Sequence, residues 1–78
     1  MEPKMSLRDL GCSAAVVSCG FEVRAIERNK DGQAYFIFIK TDGLERAVGA
    51  YWANTLEVPA RTYSENIKML KSRIYSER

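Results

Sequence analysis

Apolar and polar positions alternate or cycle in five places along the chain, and each place predicts an element. Met5-Ser6-Leu7-Arg8-Asp9-Leu10 opens a predicted first helix, and from there to Cys19 nearly every position is apolar or small. Ser6 is the expected cap, Asp9 its answering carboxylate three residues on, and Met5 packs against Leu10 as a staple. Gly20 ends the helix by supplying a left-handed residue. Gly11, Ser13, Ala14, Ala15 and Ser18 carry little bulk, so this helix should be covered on more than one side.

Phe21-Glu22-Val23-Arg24-Ala25 has the period of a strand with one buried face. Asn29-Lys30-Asp31-Gly32 is a turn, because Asn and Asp bond their own backbone and Gly accepts positive φ. The second strand, Gln33 to Lys40, sets Tyr35, Ile37 and Ile39 on one face and Ala34, Phe36 and Phe38 on the other. Both faces ask for cover. Asp42 and Glu45 stand at capping-box spacing before a second helix, whose stripe is Leu44, Ala47, Val48, Tyr51 and Trp52, with Asn54 as its stop. Pro59 suits the first turn of a third helix with Tyr63, Ile67, Leu70 and Ile74 on its core face. The fold class is therefore α+β: helix, strand, strand, helix, helix, an antiparallel β-hairpin packed on helices.

With 78 residues the chain makes one domain, spanning 1–78 with an ordered core over about 6–76. Its 46% hydrophobic and 28% charged residues are the balance of a folding chain. A domain this short buries only about 60 to 65% of its unfolded surface, so an additional source of stability is expected. A disulfide is not that source. On a helix Cys12 and Cys19 would stand roughly 10 Å apart, past the limit of about 7 Å for a bridge. Both are expected buried and reduced. No signal peptide or membrane span is read, and a reducing cytoplasm is the expected location.

Arg8-Asp9-Leu10, Gly20-Phe21-Glu22-Val23, Tyr35-Phe36-Ile37-Phe38, Ala50-Tyr51-Trp52-Ala53-Asn54 and Leu70-Lys71-Ser72-Arg73-Ile74-Tyr75 together resemble an uncharacterised family of short single-domain bacterial proteins, the domain of unknown function DUF5659. The resemblance covers most of the chain and supports the element order. It implies no activity and no catalytic residue.

The chemistry is sparse. Histidine is absent, which removes the commonest general base and metal ligand, and two cysteines alone cannot close a zinc site. The carboxylates are accounted for as caps, and the glycines lack a phosphate-binding pattern. No catalytic residue, metal site, cofactor or small-molecule substrate is read, and the chain is not expected to be an enzyme.

Two surfaces remain. Tyr35, Phe36 and Phe38 invite comparison with aromatics that stack on RNA bases, but core packing accounts for them better. Residues 61–78 hold five basic and two acidic side chains, against seven and eight in residues 1–60. Arg61, Lys68, Lys71 and Arg78 share one side of the third helix and are the candidate nucleic-acid contacts, or else an ordinary solvated face. The leading expectation is a protein-interaction or self-assembly module. Its most natural form is a symmetric homodimer with the hairpin's second strand or the first helix at or near the interface, Tyr35, Ile37 and Ile39 being the strand's candidate contacts. Trp52 is expected in the core.

Overall fold

The computed structural model describes residues 2–76. Its elements are β1 (Lys4–Leu7), α1 (Leu10–Ser18), β2 (Ala25–Arg28), β3 (Ala34–Ile39), α2 (Asp42–Trp52) and α3 (Ala60–Ser76). The class is α+β, and the expected succession of helix, two strands and two helices is present with one further strand in front. The sheet is antiparallel in the order β1-β3-β2. Helices cover one of its faces.

The extra strand corrects the first helix. Ser6 is not a cap but a strand residue opposite Ile37, and Asp9 is the N-cap, its carboxylate accepting from the Cys12 amide at 2.7 Å. Met5 and Leu7 alternate with Lys4 and Ser6, and their register against Phe38 and Phe36 turns them to the helix side of the sheet. The helix end is as expected. Gly20 adopts φ 105°, its amide bonds the Val17 carbonyl, and the Phe21 amide reaches back to Val16, the paired bonds of a Schellman turn.

That turn also displaces the next strand. Phe21 is held against the core, so the chain joins the sheet only when the Arg24 amide bonds Ile37, and β2 begins at Ala25 rather than Phe21. The hairpin closes as read. Asn29 Oδ1 accepts from the Asp31 and Gln33 amides, and Gly32 sits at φ 82°.

Thr41, not Asp42, caps α2, since its hydroxyl accepts from the Leu44 amide at 3.0 Å; Asp42 and Glu45 then lie in the first turn, where carboxylates suit the helix dipole. Asn54 is the stop, at φ 62°, with the Asn54 and Thr55 amides bonding Tyr51 and Ala50. Pro59 precedes α3, and its carbonyl accepts from the Tyr63 amide.

The core lies between sheet and helices. Cys12, Ala14 and Val16 of α1 meet Leu7, Phe36 and Phe38 from the sheet, Leu44 and Ala47 from α2 and Leu70 from α3. Five consecutive α1 residues, Cys12 to Val16, are buried, so α1 is enclosed on several sides as expected. Small side chains make that enclosure possible. Buried Ser13 returns its hydroxyl to the Asp9 carbonyl, and Ser18 accepts from the Asn66 amide of α3 at 2.9 Å. On the sheet side, Arg28 donates to the Ile74 carbonyl at 2.6 Å and ties β2 to α3.

Three expectations fall here. Cys12 is buried but Cys19 is exposed, because it is the C-cap of α1 and stands past the last turn that the other elements enclose; both thiols are free. Trp52 is 63% exposed. It closes its helix at about 80° around the axis from Leu44, at the border of the stripe, and the chain turns away immediately after it. Finally, β3 is the central strand, hydrogen-bonded on both sides, so it has no free edge through which to dimerise. Among the described residues, no helix is long and apolar enough to cross a membrane.

Candidate functional site: an aromatic cleft beside α1

The last turn of α2 and the first turns of α3, two helices that both pack on α1, border a cleft of about 420 Å³. Ala15 of α1 lies at its floor, Tyr51 and Trp52 come from the last turn of α2, and Tyr63 comes from the first turns of α3. The connecting segment adds Asn54, Leu56 and Val58. Backbone chemistry fixes this layout. The left-handed turn at Asn54 reverses the chain directly after Trp52, and Thr55 and Leu56 both bond the Ala50 carbonyl, so the connection runs back along the end of α2.

The rings are set at right angles. Tyr51 and Trp52 have centroids 5.0 Å apart and an interplanar angle of 85°, the edge-to-face arrangement that the ring quadrupoles favour. The exposed indole contrasts with the buried rings of Phe36 and Phe38 and shares its exposure with Tyr75, near the end of α3.

Beside the cleft, at the start of α1, three oxygens converge. A Cβ placed on Gly11 would stand 2.5 Å from the Tyr51 hydroxyl, 3.1 Å from that of Tyr63 and 3.2 Å from Asp9 Oδ1. Only glycine leaves room for them. Tyr51's pKa is raised, first by loss of solvent, then by Tyr63 and by the Asp9 carboxylate, and by a hydrogen bond with Tyr63 and the nearby Cys12. Cys12 is likewise raised, by burial first and by Asp9 second, so it stays a thiol rather than a nucleophilic thiolate near neutral pH. Among the described residues no three His, Cys, Asp or Glu side chains come together as a metal site.

The residues singled out in the sequence lie elsewhere. Tyr35, Ile37 and Ile39 do share one sheet face, the one opposite the core, with Lys4, Ser6, Ala25 and Glu27 beside them in register. Ile37 is only 3% exposed, closed over by these neighbours, which leaves Tyr35 and Ile39 as the partly open members. Arg61, Lys68 and Lys71 are exposed on α3, and Arg61 lies 3.4 Å from the Glu65 carboxylate. Arg78 lies outside the described residues. None of the other six lines the cleft.

Of the cleft residues, Tyr51, Trp52 and Tyr63 were legible only as core stripe, because their convergence depends on the packing of α2 and α3 across α1. The signal available in the sequence was Asn54: a left-handed stop immediately after two aromatics leaves the second without a following turn to cover it.

No curated protein and no solved structure matches the chain. A family model does, opening at the α1 cap and closing at the end of α3, so that β1 lies ahead of the matched segment. With residues 9–76 matched, the chain belongs to the DUF5659 family, a domain of unknown function.

Proposed function

We propose that this domain is a non-enzymatic interaction module that receives a segment of another protein in the cleft between α2 and α3, with Trp52 as the anchor. The observation that carries the reading is Trp52 itself: the largest apolar side chain of the protein is mostly exposed at the lip of an aromatic cleft. Large aromatics at the centre of an interface carry a disproportionate share of binding energy, because they bury much area at little entropic cost. The cleft falls in the size range of specific binding sites and is largely apolar, with a few hydroxyl and amide groups to orient what enters. Free Cys12 and Cys19 fit a module working in the reducing cytoplasm.

Peptide display tests the reading directly. Peptides selected on the intact protein are expected to lose at least about tenfold in affinity for the Trp52→Ala protein. Selected peptides that bind both proteins equally would refute the cleft as the site. Self-association through the same surface is the second form of the behaviour, and would show as a dimer mass in sedimentation that Trp52→Ala reduces to monomer. Salt-dependent binding of nucleic acid that survives Trp52→Ala and is lost with Arg61, Lys68 and Lys71 would move the function to α3.

A further inference from the structure

Resting on the interaction reading, we infer that the group gripped by the cleft is an alkylammonium, the side chain of a lysine or methylated lysine on the partner, enclosed by Tyr51, Trp52 and Tyr63. Three aromatic side chains from two helices border one space, and two of their ring planes stand at right angles. Perpendicular rings form the adjacent walls of a box, and a compact cation is the group that gains from more than one ring at once, since each face carries negative charge density. A flat aromatic ligand would instead ask for parallel walls.

Charge complementarity points the same way. The cleft is lined by Ala15, Tyr51, Trp52, Asn54, Leu56, Val58 and Tyr63, none of them basic, so no cation of the lining competes for the box. Asp9 does not line the cleft, but its Oδ1 lies with the phenolic oxygens of Tyr51 and Tyr63 around Gly11, so a carboxylate stands behind two of the three aromatic walls. The raised pKa of Tyr51 comes first from burial, then from Tyr63 and only after these from the Asp9 carboxylate, whose negative charge favours a cation nearby. Asp9 keeps this place because it is also the cap of α1, its carboxylate held by the Cys12 amide.

Trp52 is the only tryptophan, so its fluorescence reports on the cleft without labelling. Three peptides of one sequence are titrated, carrying lysine, trimethyllysine, or a neutral side chain in which carbon replaces the trimethylated nitrogen. The trimethyllysine peptide is expected to bind at least about tenfold tighter than its carbon isostere, with lysine between them. Asp9→Asn keeps a good helix cap, and should weaken the two cationic peptides severalfold while leaving the neutral one unchanged. Equal binding of the cationic and neutral peptides would overturn the inference, as would no binding by any of the three. Neither result touches the interaction reading, which falls only if display yields no peptide that depends on Trp52.

Discussion

Two aromatic pairs of this protein, Phe36 with Phe38 and Tyr51 with Trp52, have opposite fates although both sit on apolar stripes of regular elements. The phenylalanines lie on the central strand, each 1% exposed, where β1 and β2 flank them and three helices roof them. The second pair lies on the last turn of α2, where one ring packs on the core and the next is left at the surface. Position within an element, more than hydrophobicity, separates them. Residues in mid-element are enclosed by neighbours on every side, whereas those at an end keep only what the following turn brings. An aromatic side chain left over at such an end is surface available for binding.

The comparison breaks most severely at the strand. Phe36→Ala removes a ring enclosed by strands and helices and is expected to cost about 3 to 5 kcal/mol, enough to unfold a domain of this size in a thermal or urea melt. A smaller effect is expected at the contact joining the cleft to α1. Gly11→Ala sets a methyl 2.5 Å from the Tyr51 hydroxyl and should destabilise by about 1 to 2 kcal/mol. In a Tyr51→Phe background the same change should cost less, because the nearest oxygen is gone, those of Tyr63 and Asp9 remain at 3.1 and 3.2 Å, and alanine favours the helix. Equal costs in both backgrounds would show that the hydroxyl does not set the limit. Trp52→Ala, by contrast, should shift stability by no more than about 1 kcal/mol while removing binding, the reverse of Phe36→Ala.

The smallest effect is that of pH. Cys12 and Tyr51 both have folded-state pKa values raised above their ordinary ones, so the unfolded chain loses these protons first as pH rises. Their protonated forms therefore support the fold fully below the ordinary thiol and phenol range, and that support declines as pH climbs through it. Melting temperature is expected to fall above about pH 8.5, and to fall less in Cys12→Ala.

How much of this the sequence disclosed follows from how local each signal is. Gly20, Gly32 and Asn54 announced their turns because a left-handed residue is specified where it stands. The α3 stripe was legible for the same reason, repeated over four turns. β1 was not, because Lys4–Leu7 is only four residues long, and Ser6 with Asp9 has the spacing of a capping box. The choice between a helix beginning at Ser6 and a strand followed by a cap at Asp9 is made by β3, about thirty residues away. The cleft was hidden for a related reason. Gly11, Tyr51 and Tyr63 come from three helices, and nothing local to any of them states that their atoms meet.

The position of β1 in the sheet also orders the steps by which the fold assembles. β2 and β3 are joined by a tight turn and can zip together from it, but β1 pairs with β3 through Lys4 with Ile39 and so closes a loop of about 35 residues containing the whole of α1. Loop closure of that length carries an entropic cost that a hairpin avoids, so local pairing comes first and the distant strand docks on a surface already formed. On the ribosome the order of synthesis is the reverse. The strand made earliest waits for the partner made later, and Met5 and Leu7 remain without their Phe38 and Phe36 until β3 has emerged.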